Sequence, residues 1–138
     1  MIMQQVEIEA TYRSPHVIFN LEDNKFSFEG NSILVNVDEF YDPLLNWMDE
    51  YVKRKSKGEV EIVFDIEYTN LASAKRLVFF LYRLKELQDK GVAVKVYWRY
   101  YSNDSDAYEM GQDFAQMLEL PIQFLQYEKL KKREIWSD

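Results

Sequence analysis

The sequence has no cysteine, and glycine, proline and histidine are scarce, with four, three and one among 138 residues. Without cysteine the chain can form no disulfide, no thiolate metal site and no cysteine nucleophile. The four glycines are scattered, so neither a phosphate-binding glycine loop nor a G-x-S-x-G nucleophile elbow is present. The composition therefore excludes the most easily recognised catalytic and nucleotide-binding motifs.

Basic residues and long apolar runs are also in short supply. Lys and Arg number 17 against 24 Asp and Glu, which gives a net charge of −7. This balance argues against nucleic acid as the main partner, because phosphate binding needs clustered cations. No apolar run approaches the roughly 20 residues of a membrane helix, and residues 1–10 lack the basic start and apolar core of a signal peptide. We therefore expect a cytoplasmic protein that binds neither membrane nor nucleic acid.

The strongest pattern lies in residues 61–87, which read as a strand, a polar turn and a long helix. The apolar run over residues 62–66 predicts a strand that is covered on both faces. Asn70 is a capping residue in the turn, and the apolar face of the following helix is predicted to hold Leu71, Ala74, Leu77, Leu81 and Leu84. Free N–H groups at such a helix start favour an anion, and open α/β sheets place sites there. We expect the function at or around Thr69–Ser73.

The remaining segments extend this pattern along the whole chain. Strands are predicted over 4–10, 16–21 and 25–29, the last two as a hairpin, and then over 92–97 and 122–127. Helices are predicted over about 36–55 and 106–118. The order β-β-β-α-β-α-β-α-β favours an α/β fold with a mostly parallel sheet and an N-terminal hairpin. We expect one domain over residues 1–127 and a charged tail over 128–138.

Two details of the helices have alternative or specific interpretations. Asn36 with Glu39 resembles a capping box, but Pro43 falls inside the apolar stripe that follows. Either the helix is distorted near Pro43, or it begins there with Asp42 as its cap. In the last helix, an interior glycine is unfavourable, so Gly111 is predicted to permit a close backbone contact.

Few residues in the sequence are candidates for catalysis or metal binding. His16 is the only histidine, and no other ligand stands at a recognisable metal-site spacing from it, so we expect a structural role. Residues 104–119 are acidic, but their spacing is not that of an EF-hand loop, and a solvated face or a protein contact is expected there. We therefore expect no metal site and no cofactor.

Aromatic residues make up 16% of the chain, more than a domain of this size needs inside, so some are expected at a partner surface. Steps of 100° per residue place Phe79 nearly opposite the apolar face of its helix, beside Lys75 and Arg83. Phe79 is therefore predicted to be exposed and to contribute to partner binding.

Together the residues resemble the SiaC family of bacterial regulatory phosphoproteins over about residues 8–127. Each piece is weak alone, but their order and spacing are specific. The matching pieces are TYRSPHVIF at 11–19, Gly30-Asn31-Ser32, EFYDP at 39–43 with Trp47, Tyr68, Asn70, Ser73-Ala74-Lys75, VKVYW at 94–98, Asp104, Asp106, Glu109, Gly111, Asp113-Phe114 and Leu120-Pro121.

The resemblance implies a fold similar to STAS-type anti-sigma-factor antagonists and a non-enzymatic, partner-switching role. In such proteins a dedicated kinase and a PP2C-type phosphatase control one phosphoryl group. The unphosphorylated form binds and activates a diguanylate cyclase, which raises cyclic di-GMP and promotes biofilm. With the position of Phe79, the resemblance predicts partner binding at Asn70, Lys75, Phe79, Arg83, Asp104 and Asp106.

The chain departs from the family pattern in two places. The hydroxyl-rich turn of the family reads Asn70-Leu71-Ala72-Ser73 here, so the acceptor position falls on Leu71, which cannot be phosphorylated. Leu34-Val35 stands where the family usually has Pro-Glu. Ser73 and Thr69 are the remaining candidate acceptors, but Ser73 is predicted to face the sheet. We predict that the protein is not phosphorylated in the family's manner.

Two other classes of function remain open from the sequence. One is a stand-alone STAS-like module that binds a nucleotide or another small anion at the Thr69–Ser73 helix start. The other is a hydrolase with paired carboxylates from Asp104–Asp113, although nothing in the sequence places a matched acid and base together.

Overall fold

The computed structural model describes residues 3–128 and has the predicted order of elements. Its strands are β1 Val6–Ile8, β2 His16–Asn20, β3 Lys25–Ser32, β4 Glu59–Thr69, β5 Ala93–Tyr101 and β6 Ile122–Tyr127. Its helices are α1 Val37–Arg54, α2 Leu71–Asp89 and α3 Ser105–Leu118. The predicted charged tail lies outside the described residues, apart from its first residue, Glu128.

The six strands form one sheet in chain order, β1-β2-β3-β4-β5-β6. The pairs β1–β2 and β2–β3 are antiparallel, and the three pairs from β3 to β6 are parallel. The α/β class, the mostly parallel sheet and the N-terminal hairpin are therefore confirmed. None of the helices within residues 3–128 is long and apolar enough to cross a membrane.

The helices cover one face of this sheet. Each parallel connection is a crossover through one helix, and because the strand order never reverses, right-handed crossovers put α1, α2 and α3 on the same side. The even-numbered residues of β4, from Val60 to Ile66, are buried there at 4% exposure or less. Glu61, Val63 and Glu67 point to the other face and are only half-buried. Asp65 on that face is nevertheless buried, where it contacts Tyr127 and Arg99. The expectation that this strand is covered on both faces was wrong, because helices cover one face and side chains cover the other only in part.

Helix α1 starts at its predicted cap and continues through its proline. The Asn36 side chain accepts a hydrogen bond from the Glu39 backbone N–H at 3.3 Å. Pro43 lies within the continuous helix Val37–Arg54, so the alternative start at Asp42 was wrong.

Helix α2 buries most of the predicted apolar face. Leu77, Leu81 and Leu84 are fully buried, as the helical period requires. Leu71, which was predicted on the same face, is 73% exposed. It precedes Leu77 by six residues, and six steps of 100° turn its side chain about 120° away from the core.

Gly111 in α3 makes the close approach predicted for it. A Cβ at this position would lie 2.7 Å from the Trp98 ring and 2.8 Å from Phe124. Trp98 is 1% exposed and donates a hydrogen bond from Nε1 to the Ala107 carbonyl at 2.9 Å. The glycine therefore lets α3 pack against β5 and β6.

We expect Leu81→Ala to lower the free energy of unfolding by roughly 2–5 kcal/mol, because it leaves a cavity beneath α2. Leu71→Ala is the matched control: the same truncation on the exposed side of the same helix should change stability by less than about 0.5 kcal/mol. Urea unfolding of both variants measures the difference. Equal losses would mean that the phase of the helix is wrong.

Candidate functional site

Asn70 joins the start of α2 to the loop that follows β3. Its backbone N–H donates to the Ser32 carbonyl at 3.1 Å, and its side-chain Nδ2 donates to the Leu34 carbonyl at 2.8 Å. Its Oδ1 accepts from the Ser73 N–H at 2.9 Å, which caps the helix. We call these three hydrogen bonds the Asn70 clamp. The capping role predicted for Asn70 is confirmed, and the contact with residues 32–34 adds a second role.

A buried pair of hydroxyl groups holds the start of the same loop, residues 33–36, against α1. Ser32 is fully buried, and its Oγ lies 2.6 Å from the Tyr41 hydroxyl on α1. Burial raises the pKa of Tyr41 from 10.0 to about 12. The Ile33 N–H donates to the Arg13 carbonyl at 2.9 Å. The loop over residues 33–36 is thus held by β4–α2, α1 and the segment before β2.

Three large apolar side chains are exposed around the clamp. Val35 is 89% exposed, Leu71 is 73% exposed and Tyr68 is 57% exposed. Each stands within two residues of the contact between Asn70 and Leu34. We call Val35, Tyr68 and Leu71 the apolar patch. The two departures from the family pattern, at Leu34-Val35 and at Leu71, are therefore neighbours in space.

An acidic cleft adjoins this patch at the carboxyl ends of β4 and β5. Its volume is about 360 Å³, and its lining includes Glu67, Tyr68, Thr69, Tyr101, Asp104 and Asp106. Asp104 caps α3 by accepting from the Ala107 N–H at 3.0 Å, and Asp106 is exposed in the first turn. The structure thus brings the predicted residues Thr69, Asp104 and Asp106 into one cleft beside Asn70.

The geometry disfavours an anion at this helix start. The Ser73 N–H is occupied by Asn70. Among residues 3–128, three carboxylates line the cleft and no Lys or Arg does. Arg76 binds Asp38 and Asp42 on α1, so it is already neutralised. A cation or a basic side chain suits the cleft better than a phosphate does.

The candidate hydroxyls are poorly placed for modification. Ser73 is fully buried, as its helical phase predicts, and its Oγ makes no hydrogen bond within residues 3–128. Thr69 is half-buried, and its hydroxyl donates to the Asn70 carbonyl at 3.2 Å.

The other predicted partner residues on α2 lie further along the helix, and Arg83 is at the seam with α1. Phe79 is 41% exposed, in line with its helical phase, and the Arg76 guanidinium lies 5.9 Å from its ring centre. Arg83 donates to Asp49 on α1 at 2.8 Å and to the Phe79 carbonyl at 2.9 Å. Lys75 is exposed one turn after the clamp. Arg83 therefore has a structural partner, and partner binding at the seam stays a prediction.

The acidic stretch over residues 104–119 forms no group of three metal ligands in the part of the chain that the structure describes. The side chains of Glu7, Glu9 and His16 do form such a group, with ligand atoms within 4.8 Å of one another. No spacing in the sequence indicates this group, because the two glutamates lie in or directly after β1 and the histidine lies in β2.

A profile of the SiaC family of regulatory phosphoproteins matches residues 8–127 of the sequence. The chain belongs to the SiaC family. A comparison with curated protein sequences finds no match.

Solved structures of SiaC from Pseudomonas aeruginosa share the fold. One is superposed with a TM-score of 0.82 at 20% identity and covers 91% of this chain and 100% of its own. The apo form gives a TM-score of 0.77 at 20% identity, over 89% and 99% of the two chains. SiaC in complex with diguanylate cyclase SiaD, of which it is the activator, gives 0.82 at 20% identity, over 88% and 99%.

We expect Asn70→Ala to destabilise the protein by about 1 kcal/mol or more, because it removes a helix cap and leaves the Leu34 carbonyl without its donor. Asn70→Asp keeps the cap but cannot donate to Leu34, so its loss should be smaller. Thermal unfolding of both variants measures the two roles. An Asp variant as unstable as the Ala variant would mean that the contact with Leu34 dominates.

We expect the free energy of unfolding to fall between pH 10 and 12, by about 1.4 kcal/mol per pH unit from Tyr41 alone. The unfolded chain loses the Tyr41 proton near pH 10, whereas the folded chain keeps it, so rising pH favours unfolding. Urea unfolding of the wild type and of Tyr41→Phe over this range isolates the contribution. Parallel pH profiles of the two proteins would contradict it.

Proposed function

We propose that this SiaC-family protein binds a diguanylate cyclase and activates it, and that it has no catalytic activity of its own. The likeness to SiaC as seen in its complex with SiaD supports this proposal, together with the family membership. We also propose a cytoplasmic location, which the absence of cysteine supports. The observation that carries the proposal is an exposed apolar patch beside an acidic cleft.

The two features complement each other as an interaction surface. Val35 and Leu71 offer apolar area with no charge of their own, which suits the centre of an interface. Glu67, Asp104 and Asp106 supply a negative rim next to it. We infer that the partner presents apolar side chains to the patch and a Lys or Arg side chain to the cleft. The clamp fixes the distance between the two parts, so the surface is preorganised.

The proposed surface lacks the switch that the family resemblance implies. Leu71 occupies the acceptor position, Ser73 is buried, and the Thr69 hydroxyl is engaged with the Asn70 carbonyl. By the resemblance we retain a kinase and a PP2C-type phosphatase as proposed partners, but the first turn of α2 offers them no exposed serine or threonine hydroxyl. We propose that the protein stays in its binding-competent form.

We expect Leu71→Asp to weaken cyclase binding by about 30-fold or more, since loss of an interface anchor costs at least about 2 kcal/mol and the new carboxylate adds to an acidic rim. Leu125→Asp is the matched control, because Leu125 is an exposed apolar residue on β6, 43% accessible. Titration calorimetry with the cyclase of the same organism measures both. Equal weakening, or none in either variant, would place the interface elsewhere.

We expect no gain of phosphate when the protein is incubated with its cognate kinase and ATP, because position 71 carries no hydroxyl. Leu71→Thr, which restores the acceptor type, should gain one phosphate and serves as the positive control for the kinase. Intact-mass measurement followed by peptide mapping reads both results. One phosphate per wild-type chain, on Thr69 or Ser73, would overturn this part of the proposal.

A further inference from the structure

His16 lies at the start of β2, and its Nε2 is shielded from solvent. Its Nε2 makes no hydrogen bond to any residue within 3–128. It faces Glu7 Oε2 at 3.5 Å, which is an ion-pair distance but too long for a good hydrogen bond. A nitrogen that is both shielded and unbonded is unusual in a folded protein. In the neutral tautomer with its proton on Nδ1, Nε2 has a lone pair for a ligand.

Two carboxylates lie close to the His16 imidazole. Val6–Ile8 pairs antiparallel with β2, with Glu7 opposite Ile18, and Glu9 comes directly after this strand. Glu7 Oε2 is the carboxylate oxygen that faces Nε2. One ligand atom from each of the three side chains lies within 4.8 Å of the others.

The spacing and the donor types suit a small divalent ion. Two ligands of a tetrahedral ion with bonds of about 2.1 Å stand about 3.4 Å apart, close to the 3.5 Å between His16 Nε2 and Glu7 Oε2. One imidazole and two carboxylates are a donor set that Zn²⁺ and related transition metals accept. The two negative charges would balance the ion, and Glu29, opposite His16 on β3, adds to the negative potential.

A cavity beside His16 leaves room for further ligands. It has a volume of about 300 Å³ and is lined by His16, Glu29, Asn31 and Glu67, among others. Asn31 Oδ1, like His16 Nε2, is shielded and makes no hydrogen bond within the described part of the chain. Glu7 and Glu9 do not line this cavity, so it can supply water to an ion only from the His16 side.

We propose that Glu7, Glu9 and His16 bind a divalent transition-metal ion of the zinc class, with water completing its coordination. The ion would link β1, an edge strand of three residues, to β2. The proposal is independent of cyclase binding, because the site lies on other strands than the apolar patch and uses none of its residues.

The test uses the full chain without a histidine tag, since His16 is its only histidine and it has no cysteine. Zn²⁺ titration by calorimetry should show one ion per chain. In ¹⁵N NMR, the imidazole resonances of His16 should shift on addition of Zn²⁺. Zn²⁺ should also raise the melting temperature of the protein, because the folded state alone holds the site.

Three variants distinguish Zn²⁺ binding at the proposed site from nonspecific Zn²⁺ binding to exposed carboxylates. His16→Gln and Glu7→Gln should each weaken Zn²⁺ binding by about tenfold or more, since even a residue that only supports a metal ligand commonly contributes that much. Glu109→Gln, an exposed acid on α3, should leave it unchanged; circular dichroism checks that all three fold. An absence of saturable binding, or binding that His16→Gln leaves intact, overturns the proposal. An unchanged imidazole spectrum also overturns it and leaves a simple His16–Glu7 ion pair.

Discussion

The hydrogen bonds of Asn70 are the constraint on which the candidate site depends. One side chain both caps α2 and holds the loop after β3, so the exposed residues on each side of it cannot move apart independently. The buried pair of Ser32 and Tyr41 fixes the other end of that loop. As a result, Val35 and Leu71, which come from distant parts of the sequence, are exposed next to the two residues of one hydrogen-bonded contact.

The helices cover only one face of the sheet, and this arrangement positions the elements that carry the candidate surface. A strand order without reversal places every helix on one face, and the shared core holds the strand ends in register. The carboxyl ends of β4 and β5 then meet the first turn of α3, where Asp104 and Asp106 line the same cleft as Glu67 and Thr69. The other face of the sheet carries polar side chains, and there His16 meets Glu7 and Glu9.

Local periodicity predicted the features that depend on neighbouring residues. The burial of Leu77 and Leu81, the cap at Asn36 and the tight contact at Gly111 all follow from spacings of a few residues or from one residue type. Contacts between distant segments could not be predicted in this way. The contact of Asn70 with Leu34 spans 36 residues, and the absence of a helix on the second face of β4 depends on the whole strand order. The apolar run over 62–66 therefore suggested a strand buried on both sides, which was wrong.

Hydrogen–deuterium exchange of the complex with the diguanylate cyclase tests the location of the partner surface most directly. If the Asn70 clamp organises that surface, binding should slow exchange in residues 33–36, 67–73 and 102–107 together, because the patch and the cleft are covered at once. The exposed sheet face and the outer side of α1 should exchange as in the free protein. Slower exchange only on the exposed sheet face or the outer side of α1, with the exchange of residues 67–73 unchanged, would contradict the account.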